Sequence, residues 1–235
     1  MSRLVLSLFP GIGLLDMAFE EEGFCVVRGP DLLWGGDIRR FHPPAYRFDG
    51  VIGGPPCQAH GGLANLMAAK GIYPEDLIPE FERVVGDAAP KWWLMENVPT
   101  APDPEVIGYG VGAVVLNNRW FGEEQSRKRK FWFGSRGGHG PLRPAGFAVL
   151  EHPAFAQTVT ACHAGERRVH GKKATGGKIA RYTVEEAIRL QGFPSDFFGP
   201  RSPLRRDAQL KVMAEGVPLP MGRAIARAVK AAVGA

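Results

Sequence analysis

The sequence predicts an α/β fold in which buried strands alternate with helices. Three short apolar runs have the length of strands: Arg3–Phe9, Asp49–Gly53 and Trp92–Met95. Leu14–Glu22 follows the first run with apolar residues at helical spacing, and Pro79–Val85 precedes the third with the same pattern. Each strand ends at a glycine, a proline or a charged residue, which is typical of α/β units whose loops carry function.

Further elements complete this order. Phe24–Val27 and Gly112–Leu116 are predicted strands. Thr183–Glu186 has the pattern of a capping box and opens a predicted helix that ends at Gln191 and Gly192. Pro220–Val233 is predicted to be the last helix. Between residues 134 and 178 glycine and proline recur, and regular structure is expected to fade.

Length and composition indicate an ordinary globular protein. The 235 residues suffice for one large domain, or one domain and a small lobe, and 45% are hydrophobic. We expect no membrane span, because no apolar run approaches 20 residues, and the N-terminus lacks a full signal-peptide pattern. Cys25, Cys57 and Cys162 are odd in number and lack metal-ligand spacing, so we expect reduced thiols, no metal and a cytosolic setting.

The positive charge is unevenly placed. The net charge is +5, and residues 134–178 contain seven Lys or Arg against two Glu, which accounts for all of it. A basic, glycine-rich segment in an otherwise neutral protein indicates contact with a polyanion, most simply nucleic acid. The alternative is a solvated basic loop, and composition alone does not decide between them.

The stretch Gly53–Gln58 organises the chain. Its sequence, GGPPCQ, follows the apolar run that ends at Ile52. Glycines allow the backbone to approach a ligand closely, and the two prolines stiffen the chain before Cys57. A thiol at the end of a buried strand is placed like a nucleophile on a rigid scaffold. The alternative is an ordinary loop with a small buried cysteine.

A glycine turn follows the first strand. Strand, turn and helix in this order are typical of nucleotide-binding α/β units, but the turn at Gly11 and Gly13 lacks the third glycine of the dinucleotide fingerprint and a Walker lysine. Asp31 lies just beyond the second strand, where such folds place an acid on a ribose. Asp37 is a second acid next to the apolar Ile38. Either aspartate could instead be a turn residue.

Charged residues follow the later strands. Glu96 comes at the carboxyl end of a buried strand, where a carboxylate is costly without a partner, so it is a site candidate. In the segment 125–129, alternation would place Gln125, Arg127 and Arg129 on one face of an extended chain. Such a row can bind base edges or phosphates, although a basic edge strand is the common alternative.

Together these motifs resemble the C5-cytosine DNA methyltransferase family. Residues 8–13 are similar to its cofactor-binding turn, and GGPPCQ to the proline-cysteine loop that carries its nucleophile. Glu96–Val98 matches its ENV motif and residues 125–129 its QxRxR motif. Arg181 through the sequence LQGFP, residues 190–194, and Gly216–Pro218 match its closing blocks. The resemblance covers most of the chain, and the motifs in this order are specific although each alone is weak.

The resemblance implies a DNA (cytosine-5-)-methyltransferase. In such an enzyme the thiolate of Cys57 adds to C6 of a flipped cytosine and makes C5 nucleophilic. Glu96 would stabilise the intermediate at N3 and the exocyclic amine, and Arg129, together with Arg127, would contact the carbonyl oxygen at C2. Loss of the C5 proton and elimination of Cys57 would release the product.

The resemblance also implies a donor and a DNA substrate. The donor is S-adenosylmethionine, and the residues expected to bind it are Phe9, Gly11, Gly13, Asp31, Asp37, Ile38, Pro55 and Glu215. The partner is double-stranded DNA, and the residues expected to contact it are Gln125, Arg167, Arg168, Lys172 and Lys173. A short recognition segment suggests a short target sequence or loose specificity.

Two departures from the family pattern leave alternatives open. Asp31 and Asp37 are only six residues apart, as if the usual helix between them were deleted. Glu215 stands where the family has Asn, near the methionine end of the donor, and changes charge and hydrogen bonding there. The alternatives are a catalytically impaired homologue that binds DNA, or a transferase that acts on RNA or uses a variant sulfonium donor.

The family resemblance refines the fold and the domains. It implies a Rossmann-like sheet of the S-adenosylmethionine-dependent methyltransferase type with helices on both faces, plus a small irregular target-recognition lobe. We expect residues 1–133 and the C-terminal helices in 179–235 to form the catalytic domain, and 134–178 to form the lobe. We expect a monomeric, cytoplasmic DNA modification enzyme of bacterial or phage type, without membrane or metal.

Overall fold

A computed structural model describes most of the chain. The described residues are 3–61, 64, 68–138, 142–148, 156, 158–159, 166–167 and 180–234, with the backbone alone at 166–167 and 180–181. Cys162, Arg168, Lys172 and Lys173 lie outside them.

A six-stranded mixed sheet forms the centre of the fold, as predicted. Its strands are β1 (Leu4–Leu8), β2 (Cys25–Arg28), β3 (Gly50–Gly53), β4 (Trp92–Asn97), β5 (Gly110–Asn117) and β6 (Lys128–Ser135), in the spatial order β2-β1-β3-β4-β6-β5. The first four strands are parallel, and β6 is antiparallel to β4. The carboxyl ends of β1, β3 and β4 therefore meet at one edge of the sheet. A separate pair, β7 (Glu166–Arg167) and β8 (Ala180–Arg181), is antiparallel.

Five helices accompany the sheet in the described part of the chain: α1 (Leu14–Glu21), α2 (Ile78–Ala88), α3 (Val184–Leu190), α4 (Arg206–Glu215) and α5 (Leu219–Ala232). The predicted capping box is confirmed, since the Thr183 hydroxyl accepts from the Glu186 N–H and the Glu186 carboxylate accepts from the Thr183 N–H. Helix α4 was not predicted. Five of its ten residues are charged or polar, and only four are buried.

Helix α2 anchors the hydrophobic core beside the sheet. Phe81, Val84 and Val85 have no exposed surface and pack in one cluster with Leu6 and Trp93. Burial of such side chains contributes about 1.5–3 kcal/mol each relative to exposure. The core thus holds the strands whose ends carry the predicted motifs.

Two adjacent tryptophans on β4 require glycine on the neighbouring strands. An added Cβ at Gly50 would lie 2.2 Å from the Trp92 ring, and one at Gly134 would lie 2.2 Å from the Trp93 ring. Because successive side chains of a strand point to opposite faces, each indole covers a different face of the sheet.

A buried carboxylate, that of Asp16, follows the glycine turn that joins β1 to α1. Asp16 on α1 is 1% exposed, accepts a 2.5 Å hydrogen bond from the Ser7 hydroxyl and pairs with Arg28 at 3.0 Å. Burial raises the pKa of Asp16, against the hydrogen bond from Ser7 and the charge of Arg28, which favour ionisation. An added Cβ at Gly13 would lie 2.1 Å from the end of the Arg28 side chain, which would have to move, and the φ of 83° also favours glycine at this position.

The contacts divide the chain into two compact units. Unit 1 comprises Met1–Leu116, Lys128–Ala145 and Arg223–Ala235, and contains the six-stranded sheet. Unit 2 comprises Asn117–Arg127 and Gly146–Gly222, and contains α3 and α4. These units differ in their bounds from the predicted division at residues 133 and 178, which stays a prediction.

Three properties concern the described residues only. No helix there has the length and apolar character needed to cross a bilayer. No group of three or more His, Cys, Asp and Glu side chains in those ranges could hold a metal ion. Cys25 is exposed and Cys57 is half-buried.

The tryptophan packing predicts opposite effects for two glycine substitutions. Gly134→Ala forces a methyl group into the Trp93 ring and should lower the free energy of unfolding by about 1–3 kcal/mol. Gly86→Ala is the matched control, because an added Cβ in α2 meets nothing within 4 Å. Alanine there should raise the free energy of unfolding by about 0.5–1 kcal/mol. Urea unfolding measures both, and equal effects would contradict the packing argument.

The buried carboxylate predicts a pH dependence. Folding raises the pKa of Asp16, so the folded state holds its proton more tightly than the unfolded chain. The stability contributed by the carboxyl is therefore full below its ordinary pKa of 3.8 and is lost as the pH rises through the folded value. Across that range the free energy of unfolding of the wild type should fall relative to Asp16→Asn in urea titrations. The opposite trend would mean that the Arg28 pair outweighs burial.

Candidate active site

Cys57 lies on a tight turn just beyond β3. The strand ends at Gly53, and residues 57–59 form one turn of 3₁₀ helix after Pro56. The N–H groups of His60 and Gly61 both donate to the Cys57 carbonyl, at 3.0 and 2.8 Å. Residues 57–61, called here the Cys57 turn, therefore present a half-buried thiol at the carboxyl edge of the sheet.

Asn97 links this loop to β4. Its side-chain amide donates to the Pro55 carbonyl at 3.1 Å, while its oxygen accepts the Val98 N–H at 2.8 Å. Asn97 is 1% exposed, so these bonds form away from water. The motif that drew attention to Glu96 also contains Asn97, but the sequence argument assigned Asn97 no role.

Glu96 and Arg129 form an ion pair beside the Cys57 loop. Arg129 Nε lies 2.8 Å from Glu96 Oε1, and the side chains are 12% and 8% exposed. An added Cβ at Gly54 would lie 3.1 Å from Glu96 Oε2, so the carboxylate sits against the loop three residues before the thiol. The structure thus pairs two of the four predicted catalytic groups, Glu96 and Arg129, against the loop that leads to Cys57, and each of these charges has a partner.

Arg127 has a different environment. Its guanidinium is 1% exposed and donates to the carbonyls of Val159, Ala214 and Gly216, at 3.2, 2.6 and 2.9 Å. All of these groups belong to unit 2. These contacts make Arg127 a structural support of that unit, and its predicted catalytic role stays a prediction.

The predicted DNA contacts are only partly described. Gln125 is fully buried and pairs with Ala156 through an isolated bridge, so its amide could reach DNA only by leaving this position. Strand β6 begins at Lys128, so Gln125 and Arg127 precede it, and the expected alternation of Gln125, Arg127 and Arg129 on one face of an extended chain stays a prediction. Arg167 lies in β7, where only the backbone is described.

The glycine turn after β1 is held by a second turn. Gly11 N–H donates to Asp31 Oδ2 at 2.8 Å, and the Trp34 indole N–H donates to the Gly11 carbonyl at 2.6 Å. Phe9, Gly11 and Gly13 all have positive φ angles, of 54°, 54° and 83°. An added Cβ at Gly11 meets nothing within 4 Å, so a ligand can approach the backbone there.

Asp37 is engaged with a neighbouring arginine. Its two carboxylate oxygens accept from the Arg39 side chain at 2.9 Å each, and these bonds, followed by one from the Arg39 backbone N–H, lower the pKa of Asp37. Ile38 is 4% exposed and belongs to the core. Arg83 on α2 donates to the carbonyls of Ile38 and Phe41, at 2.8 and 3.1 Å.

Trp34 and Arg83 were missed by the sequence argument. The sequence did contain a signal for Trp34, because this large aromatic residue lies three positions after the candidate Asp31. In the structure 57% of Trp34 is exposed. Arg83 carries no such signal, because a charged residue on the outer side of an amphipathic helix is the ordinary case. Only the packing of α2 against residues 38–41 reveals its role.

Glu215 is the last residue of α4, in unit 2. Its side chain is 43% exposed, and its carboxylate lies 4.0 Å from Lys211 Nζ. Arg127 binds the carbonyls on either side of it, those of Ala214 and Gly216. In the same unit Gln191 donates to the Met213 carbonyl, which ties the end of α3 to α4.

The residues present fit a donor and a nucleophile. The open turn at Gly11 and the carboxylates of Asp31 and Asp37 provide backbone and acidic groups suited to the polar parts of a nucleoside. Cys57 supplies a nucleophile, and Glu96 with Arg129 supplies a buried acid and a cation beside it. This set can add a thiolate to an electron-poor ring and stabilise the charge that develops.

Comparison with known proteins identifies the family. Residues 34–158 match the family model of the C-5 cytosine-specific DNA methylase. Type II methyltransferase M.NgoPII of Neisseria gonorrhoeae is 30% identical over 166 residues, which cover 56% of this chain and 48% of that protein. Type II methyltransferase M.FnuDI of Fusobacterium nucleatum is 32% identical over 164 residues, which cover 56% and 46%. The chain spans about half the length of these curated relatives.

Solved structures share the whole fold. Entamoeba histolytica methyltransferase EhMeth superposes with a TM-score of 0.70 at 12% identity and covers 99% of each chain. S. pombe Dnmt2 methyltransferase superposes with a TM-score of 0.66 at 12% identity and covers 98% of each. These likenesses confirm the predicted methyltransferase-type α/β fold. Because the family model covers more than half of the chain, this protein belongs to the C-5 cytosine-specific DNA methylase family.

Proposed function

We propose that the protein methylates C5 of cytosine in double-stranded DNA, using S-adenosylmethionine, through a covalent bond between Cys57 and C6. The observation that supports this most directly is the Glu96–Arg129 ion pair against the loop that presents Cys57. Membership of the family supplies the substrate class, and the two Type II relatives support DNA as the acceptor.

Cys57 starts the reaction. Its thiolate adds to C6 of the cytosine, and the electrons of the C5–C6 double bond move toward the ring nitrogen N3. Glu96, near the carboxyl end of β4, would hold a proton at N3 and accept a hydrogen bond from the exocyclic amine. Arg129, paired with Glu96, would direct its remaining N–H groups to the oxygen at C2.

The second half of the reaction restores the ring. S-adenosylmethionine, when bound, supplies an electrophilic methyl group to which C5 can bond. Solvent then takes the C5 proton, the electrons of the C5–H bond form the C5–C6 double bond, and the C6–S bond breaks with its electrons to regenerate the thiolate of Cys57. The ring faces that react are stacked in a duplex, so the target base must flip out of the helix.

Four groups of residues would hold the donor. The turn with Phe9, Gly11 and Gly13 would bind its methionine part through backbone groups. Asp31 would accept from the ribose hydroxyls while it keeps Gly11 in place. Asp37 would accept from the adenine amine, with Ile38 and Pro55 as apolar neighbours, and Glu215 would meet the ammonium of the donor.

The basic residues Arg167, Arg168, Lys172 and Lys173 are proposed DNA contacts.

The proposal predicts one product and its dependence on Cys57. DNA incubated with the protein and S-adenosylmethionine should contain 5-methylcytosine by nucleoside mass spectrometry. Cys57→Ala should form none, because the ring is not activated, and Glu96→Gln should lower the rate by about 100-fold or more. A different mass shift on cytosine would point to another donor, and modification of RNA in preference to DNA would contradict the proposed substrate. DNA and cofactor binding without product would indicate an impaired homologue.

The two arginines of the QxRxR motif predict different losses. Arg129→Lys cannot keep both the Glu96 pair and a donor toward the base, so covalent trapping on DNA with 5-fluorocytosine should slow by about 10- to 100-fold. Arg127→Lys cannot reach three carbonyls, so the free energy of unfolding should fall by about 1–3 kcal/mol. Trapping kinetics and urea unfolding separate the effects. If Arg127→Lys keeps its stability and loses trapping, Arg127 acts in catalysis.

A further inference from the structure

His60 connects the Cys57 turn to two other segments of unit 1. Its N–H donates to the Cys57 carbonyl at 3.0 Å, which closes the turn. Its own carbonyl accepts a 2.6 Å hydrogen bond from the Thr100 hydroxyl. Thr100 lies three residues after Asn97, the end of β4, so the backbone of His60 joins the nucleophile to the segment that follows Glu96.

The imidazole makes the third connection. His60 Nε2 lies 3.0 Å from Asp76 Oδ1, and the ring is 17% exposed. Nε2 is buried, and its contact with Asp76 is not a well-formed hydrogen bond. The contact is attractive when the ring proton is on Nε2, since a bare ring nitrogen would be repelled by a carboxylate oxygen at this distance.

Asp76 extends the connection to the core. The same Oδ1 accepts the N–H of Ile78, the first residue of α2, at 3.0 Å. Ile78 is 3% exposed and belongs to the core cluster with Phe81 and Trp93. Asp76 therefore occupies a position fixed by a buried helix, and His60 is held through it. A thiol on a short loop gains a defined position from such an anchor.

We propose that His60 and Asp76 form a positioning pair that holds the Cys57 turn in the geometry required for attack on C6. This rests on the proposed function only for the identity of the electrophile. Neither side chain is a catalytic residue, since Nε2 of His60 is directed to Asp76. The pair acts on the rate of thiolate addition through the turn and leaves the affinities for DNA and donor unchanged.

Covalent trapping on 5-fluorocytosine DNA tests the pair. The fluorine at C5 cannot leave as a proton does, so the Cys57 adduct accumulates, and its formation is followed at saturating DNA and S-adenosylmethionine. His60→Ala removes the contact and should slow trapping by about 10- to 100-fold, since displacement of a reacting group by about 1 Å has effects of that size. Asp76→Asn keeps an oxygen that can accept the Ile78 N–H and loses only the charge, so α2 should remain intact and trapping should slow by less than in His60→Ala.

Coupling separates positioning from a general structural loss. The double variant should trap no more slowly than His60→Ala, because both substitutions act on the same contact. His60→Gln keeps a donor and should recover part of the rate. The dissociation constants for DNA and for S-adenosylhomocysteine should stay within about twofold of the wild type. Additive losses in the double variant, or unchanged trapping in His60→Ala, would overturn the proposal.

His42→Ala is the matched control. His42 Nδ1 pairs with Asp87 at the same 3.0 Å, but on the surface, with side chains 67% and 37% exposed. Its loss should leave trapping unchanged. A slower rate in this control would mean that any lost histidine pair disturbs the protein.

Alkylation of Cys57 tests the pair without DNA. Iodoacetamide labelling of Cys57, followed by peptide mass spectrometry, should be faster in His60→Ala and, by a smaller factor, in Asp76→Asn, because a loosened turn exposes the thiol. If the wild type traps no DNA, the proposed function fails while this readout still decides the pair. If Cys57 is labelled at the wild-type rate in both variants, the proposed positioning role of the pair is wrong, whether or not the proposed function holds.

Discussion

Parallel pairing of β1, β3 and β4 is the constraint on which the site depends. In register, Leu8 lies opposite Gly53, and Gly53 lies opposite Met95. The residues that follow these three are Phe9, Gly54 and Glu96, so the glycine turn, the loop to Cys57 and the acid begin at one level of the sheet. A slip of one residue on β4 would send Glu96 to the other face. Strand pairing and the core around α2 therefore decide where the chemistry is placed.

Side chains from neighbouring segments hold each of these loops. Backbone groups in a loop at the end of a buried strand need partners, because an unpaired group there loses its hydrogen bonds to water. The side chain of Asn97 hydrogen-bonds to the backbone of Pro55. Those of Asp31 and Trp34 hydrogen-bond to the backbone of Gly11, and that of Arg83 to the backbone of Ile38. Each bond joins a predicted site loop to a different element. The loops are thus fixed before any ligand arrives, which reduces the entropy lost on binding.

The three residues of the QxRxR motif have different contacts in the structure. Arg129 pairs with a buried acid, Arg127 binds three carbonyls within unit 2, and Gln125 is enclosed. Arginine suits the first two environments because its planar fork offers several donors in fixed directions. Residues two apart along the chain therefore need not act on the same ligand. The boundary between them coincides with the start of β6 at Lys128.

Most strands and helices and the family could be predicted from the sequence, which also offered Cys57 and Glu96 as candidate site residues. These follow from apolar periodicity and from short motifs whose residues are neighbours in the chain. Tertiary structure alone decided that Glu96 pairs with Arg129, that Arg127 supports unit 2, and that Trp34, Arg83 and His60 brace the site loops. Helix α4 also escaped prediction, since its apolar surface is small. Each of these findings depends on contacts between residues far apart in sequence or on burial. Local residue spacing encodes neither the long-range contacts nor the burial.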